Sequence, residues 1–180
     1  MRVVLRPIPE HPDAVGLVDG QPLTVDGRDA YAGGRALSQE EIGEALAAAV
    51  EEAASALWGS DYLGSLSRVL GLNRRSVVGD RIARNGLPAW ALAIIGYGAG
   101  APVPRALGYL LLAAAEVLDA TDEHPRGKRD ALARQGLEDA LALVERARNM
   151  KHLPAGTRCP PSALLRQIEG LHERRMAGSS

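Results

Sequence analysis

Apolar residues recur along this chain at two different periods. From Ile42 onward they fall three and four apart, at Leu46, Ala49, Val50, Ala53 and Leu57, the stripe of an amphipathic helix. Ser38-Gln39-Glu40-Glu41 opens that segment as a capping box, in which a hydroxyl and a carboxylate each take a free backbone N–H. Gly59, just past Trp58, marks its end. Nearer the N-terminus the runs are shorter. Val3-Val4-Leu5, Val15 to Val18 and Leu23 to Val25 are separated by Pro, Gly and Asp, which predicts short strands. Asp19-Gly20 between two of them is a hairpin signal.

Leu63 to Ile82, LGSLSRVLGLNRRSVVGDRI, carries the most functional information. Leu66, Val69 and Leu70 share one face of a first short helix, for which Asp61 is the expected cap. Gly71 follows the last apolar residue and can take the left-handed conformation that stops a helix. Leu72 is expected to fill the gap between helices. Asn73 is a good cap for a second helix over 73–82, whose Val77 would face Leu66 and Leu70. The opposite face would carry Arg74, Val78 and Arg81, with Arg75 beside them.

Further along, Pro104 opens an apolar helix through Leu118, with Leu107, Leu110, Leu111, Ala114 and Leu118 expected inward. Thr121 to Gly127 is a polar turn. Lys128 to Met150 predicts a helix with Leu137, Leu141 and Val144 in line. After a Pro-rich break from Leu153 to Pro161, a last helix is expected over Ser162 to Met176, with Leu164, Ile168 and Leu171 on one side. The pattern therefore predicts a mainly α protein: a helix-turn-helix within a helical bundle, with a small N-terminal β-hairpin element. The expected division is a β-element or arm over 1–34, a helix-turn-helix domain over 35–120, and C-terminal helices for packing or dimerisation over 121–180.

Composition agrees with a folded chain of close-packed helices. Of 180 residues 46% are hydrophobic, yet there is no Phe and only 3% are aromatic. The net charge of −1 argues against a generic nucleic-acid coat. Its distribution is more informative. Residues 1–60 hold 4 basic and 10 acidic side chains, whereas residues 61–110 hold 6 basic and 2 acidic. The positive excess coincides with the two-helix segment, as the footprint of a nucleic-acid binder should.

The longer run LSRVLGLNRRSVVGDRIARNGLPAWALAII resembles the Cro/C1-type (lambda-repressor-like) helix-turn-helix domain of phage and bacterial regulators. The resemblance covers Leu57 to Leu118, about a third of the chain. It rests on the leucine–glycine turn, the following polar helix start, and Pro88 opening the next helix. Two positions depart from the family pattern. Gly79 lies inside the second helix, costing roughly 1 kcal/mol against Ala. Asp80 stands where the family normally has a large apolar residue, so that either the helix ends early or Ile82 takes over that packing.

The resemblance implies that the second helix enters the major groove of double-stranded DNA. Asn73, Arg74, Arg75 and Ser76 are then the expected groove contacts, because residues near the start of such a helix reach base edges and arginine forks match guanine. Val78 would touch a thymine methyl, and Ser65 and Arg81 would meet phosphates. A homodimer is expected, since such readers pair to meet successive groove turns.

Other chemistries find little in the sequence. His11, His124, His152 and His172 are scattered, and with the single Cys159 they make no zinc spacing. No nucleophile elbow appears. Gly96-Tyr97-Gly98-Ala99-Gly100 after an apolar run mimics a dinucleotide loop, but Pro102 and Pro104 interrupt it and no βαβ unit follows. Leu87 to Pro104 lacks charges, yet its prolines and glycines suit a buried helix and loop better than a membrane span. The absence of a secretory signal pattern predicts a cytoplasmic protein.

No enzyme activity, cofactor, metal or small-molecule substrate is therefore expected. The expected function is sequence-specific DNA binding in transcription regulation, in the manner of a repressor. The alternatives are a protein–protein module, such as a phage-type accessory or inhibitor protein, and a DNA-packaging component.

Overall fold

The computed structural model describes residues 1–120 and 124–150. The N-terminal part forms β1 (Val3–Leu5), β2 (Gly16–Val18), β3 (Gln21–Asp26), β4 (Asp29–Ala32) and β5 (Arg35–Leu37). These make one five-stranded antiparallel sheet in the order β1-β2-β3-β4-β5. Three connections are two-residue hairpins. Asp19 and Gly20 both take positive φ between β2 and β3, as the hairpin signal required. Gly33 and Gly34 do the same between β4 and β5. Gly27-Arg28 turns β3 into β4.

The sheet corrects the expectation of a mainly α protein with a small hairpin element. Among the described residues the fold is mixed, with six α-helices and this sheet. The two unexpected strands, β4 and β5, are short and carry Ala rather than a run of β-branched residues. Their pairing comes from the tight glycine turns and from alternation that the short runs barely display. Val3, Leu5, Val18, Leu23, Ala30 and Leu37 are all buried, which places one face of the sheet in the core.

The helices are α1 (Gln39–Trp58), α2 (Tyr62–Leu70), a 3-10 turn (Arg74–Ser76), α3 (Gly79–Asn85), α4 (Ala89–Ala99), α5 (Pro104–Ala120) and α6 (Arg126–Met150). The capping box forms as expected: the Ser38 hydroxyl accepts from Glu41 N–H and the Glu41 carboxylate accepts from Ser38 N–H. All of Ile42, Leu46, Ala49, Val50, Ala53 and Leu57 are buried. The α1 stripe is thus the centre of the core, against β1 and β4 of the sheet and against α2, α3 and α4. Gly96 and Gly98 lie within α4, so the glycine run belongs to a helix and its end, not to a phosphate loop.

α5 meets the core through only part of the face expected: Leu111 packs against the core and Leu107 is half-buried, but Ala114 is exposed. Gly108 and Ala115 are its buried residues, while Leu110 and Leu118 are exposed. The cause is close backbone packing. A Cβ at Gly108 would lie 2.3 Å from the Leu57 carbonyl oxygen, so only glycine fits there. The buried Trp58 indole N–H donates to the Gly108 carbonyl at 2.8 Å and fixes the contact.

The chain divides into two compact units, Met1–Glu116 and Val117–Ser180. In the second, α6 exposes Leu132, Leu137, Leu141 and Val144. The break at Leu153 to Pro161 and the helix expected over Ser162 to Met176 lie outside the described residues. No described helix is long and apolar enough to cross a membrane.

Candidate functional site

The turn after α2 is built as its residues dictate. Gly71 adopts φ 61, ψ 26, the left-handed conformation, and its N–H donates to the carbonyls of Arg68 and Ser67. Leu66 and Leu70 of α2 are buried with Val77 in one core, and Leu72 packs against it. Asn73 caps the 3-10 turn, its side-chain oxygen accepting from Arg75 N–H at 2.9 Å. Asp61 sits at the start of α2 but makes no side-chain capping bond there, contrary to expectation.

The second helix is not continuous over 73–82. Arg74–Ser76 form a single 3-10 turn, Val77 and Val78 leave helical geometry, and α3 begins only at Gly79. Val78 is extended, with φ −77 and ψ 146. Two adjacent β-branched residues before a glycine are weak helix formers, so local propensity favours a break. Tertiary packing completes it. A Cβ at Gly43 of α1 would lie 2.0 Å from the Ala83 carbonyl oxygen, so α3 rests directly on the α1 backbone. The Gln39 amide donates to the carbonyls of Ala83 and Ile82, at 2.7 and 3.3 Å, and satisfies the C-terminal end of α3. The axis of α3 is thereby set by α1 rather than by the preceding turn.

This break also answers the Asp80 departure. Ile82 is 1% exposed and fills the apolar position, while Asp80 faces solvent in the first turn of α3. A carboxylate there lies at the positive end of the helix dipole and is locally favourable. Arg84 on the next turn donates its Nε–H to the Asp80 backbone carbonyl at 3.0 Å.

The structure divides the sequence-predicted residues between two settings. Asn73, Arg74, Arg75 and Ser76 are exposed on the turn, and Arg81 is exposed on α3. Val78 is half-buried at the start of α3, and Ser65 is half-buried on α2. Arg75, Ser76 and Arg81 come together around one cleft of about 740 Å³. Asn73, Arg74, Val78 and Ser65 do not line it.

Two further polar residues line the same cleft and were missed from sequence: Arg28 at the tip of the β3–β4 hairpin, and Asn85 at the end of α3. The Gly27-Arg28 pair between two strands is the signal that would have flagged Arg28 as a projecting hairpin-tip residue. Leu72, Leu87 and Pro88 form the apolar wall. Arg28, Arg74, Arg75 and Arg81 have no carboxylate partner within ion-pair distance among the described residues, whereas Arg35 pairs with Glu41 and Arg68 with Glu116. No group of three His, Cys, Asp or Glu side chains that could hold a metal ion occurs among the described residues.

Comparison of the chain with protein-family models, with curated proteins and with solved structures finds no match to any of the three.

Proposed function

We propose that this protein binds double-stranded DNA through the turn and 3-10 segment after α2, and that it regulates transcription at the sites it occupies. One observation carries the proposal. Arg74 and Arg75 are held exposed, without carboxylate partners among the described residues, on a turn whose ends are anchored. Val77 is fully buried on one side of that turn, and Asn73 caps the other. The anchored turn fixes where the two side chains leave the backbone, which lowers the ordering cost of binding, and their guanidinium forks match base edges.

The break at Val77 and Val78 changes which residues act together. The 3-10 turn offers Asn73, Arg74, Arg75 and Ser76 to a groove, and α3 offers Arg81 and Arg84 to the flanking phosphates. Asp80 is a single opposing charge among these four arginines. A short reading element makes few contacts, so tight binding calls for two copies on a two-fold-symmetric site.

The test is fluorescence polarisation of the full chain against duplexes from the gene's own upstream region, at two salt concentrations. Sequence-selective binding that weakens with salt and is lost on replacing Arg74 and Arg75 by Ala supports the proposal. Absence of binding even at low salt contradicts it. A second reading, a protein–protein module, is favoured by Trp90, Ile94 and Tyr97. These are 49%, 38% and 66% exposed at helical spacing on α4. It predicts that DNA binding is absent while substitution of these three residues by Ser alters the oligomeric state seen by light scattering.

A further inference from the structure

The cleft beside the turn is assembled from parts of the chain that are distant in sequence. Arg28 comes from the β3–β4 hairpin, Arg75 from the 3-10 turn and Arg81 from α3. Ser76 and Asn85 add neutral hydrogen-bonding groups, and no Asp or Glu is in the lining. Asp26 and Asp29 flank Arg28 along the hairpin and Asp80 precedes Arg81, but all three are exposed and none lines the cleft. None of the three arginine side chains makes an ion pair or a hydrogen bond among the described residues.

Three arginines lining one cleft with no carboxylate among them give it a positive potential, which favours an anion there. Their planar forks match the oxygens of a phosphate, singly or in pairs. At about 740 Å³ the cleft is large enough for more than the phosphate itself; ligand clefts span roughly 300–1,000 Å³. The wall of Leu72, Leu87 and Pro88 suits the apolar face of a sugar ring.

We infer that this cleft is a phosphate-binding site, and that the β3–β4 hairpin is a second nucleic-acid contact element, with Arg28 gripping a backbone phosphodiester beside the turn. The source of the phosphate rests on the DNA-binding proposal; the phosphate chemistry of the cleft does not. The other source of the same chemistry is a free phosphorylated compound.

The experiment uses the full chain and two variants, Arg28→Ala and Arg81→Ala. Arg28 is exposed at a hairpin tip, and circular dichroism checks that each variant is folded. In the first arm, duplex binding is followed across a salt series. Arg28→Ala is expected to weaken binding about equally for all duplex sequences and to lower the slope of log affinity against log salt by roughly 1. An unchanged slope and affinity, with DNA still bound, overturns the inference and leaves the DNA-binding proposal standing.

In the second arm, inorganic phosphate is titrated against chloride of matched ionic strength, and the melting temperature is read. The second arm decides the matter if no duplex binds at low salt, which would remove the DNA-binding proposal. A phosphate-specific rise that is lost in both variants then supports the site, with a free phosphorylated compound as its ligand. No phosphate-specific rise in the unsubstituted chain overturns the inference.

Discussion

Gly43 on α1 lies against the carbonyl oxygen of Ala83 on α3, where a Cβ would come within 2.0 Å of that oxygen. This contact holds α3 on the α1 backbone and fixes the position of Arg81 relative to the turn. Gly43→Ala must push the two helices apart. Overpacking of this kind costs about 1–3 kcal/mol, and here the obstructing atom is backbone, so the upper end is expected. Urea denaturation should show a lower midpoint. Gln39→Ala, which removes the two side-chain hydrogen bonds to α3 without crowding it, should cost less.

Ile82 and Asp80 make opposite predictions although they are neighbours on one short helix. Ile82 is buried in the core, so Ile82→Ala should cost about 2–5 kcal/mol. Asp80 is exposed, and Asp80→Asn should change stability by no more than about 0.5 kcal/mol. The same change removes a negative charge beside Arg81 and should tighten DNA binding, most clearly at low salt. Denaturation and polarisation measured on the same two variants check both statements.

Glu41 gives a pH dependence with a definite sign. The Ser38 backbone N–H, and after it the Arg35 guanidinium, hold the Glu41 carboxyl below its ordinary value of 4.5. The folded state therefore prefers the ionised form. Its stabilising contribution is present above that value and is lost as pH falls through the lower, folded one. Glu41→Gln should be less stable than the unsubstituted chain at neutral pH, and the difference should shrink in acid. Ser38→Ala, which removes the capping hydroxyl, should cost about 1 kcal/mol.

Trp58→Phe tests how α5 is attached. It deletes the indole N–H that donates to the buried Gly108 carbonyl. The Gly108 carbonyl keeps its bond within α5, so the change removes one net hydrogen bond, about 0.5–1.5 kcal/mol. The loss should appear as a lower denaturation midpoint.

The elements that were legible in the sequence are those with local signals. The α1 helix announced itself through Ser38, Glu41, its apolar stripe and Gly59, and the Asp19-Gly20 hairpin through two residues that accept positive φ. The strands β4 and β5 were not legible, because Ala30, Ala32 and Ala36 carry little strand propensity and are held by neighbours already paired. The break at Val77 and Val78 depended in part on Gln39 and Gly43, some forty residues earlier in the chain. The inward face of α5 was legible only in part: Leu111 packs on the core, but Leu110 and Leu118 do not, because the close contact is between backbones at Gly108. Of the candidate site, the turn was legible and the cleft was not, since Arg28 reaches it only through the sheet.

The central claim is that the exposed turn carrying Arg74 and Arg75 reads DNA. Its most direct test is selection of binding sites from a pool of random duplexes, with the full chain and with the Arg74→Ala/Arg75→Ala double variant. The account predicts that the unsubstituted chain enriches one sequence motif, and that the folded double variant enriches none. It would be contradicted if the unsubstituted chain enriched nothing, or if the double variant enriched the same motif equally well.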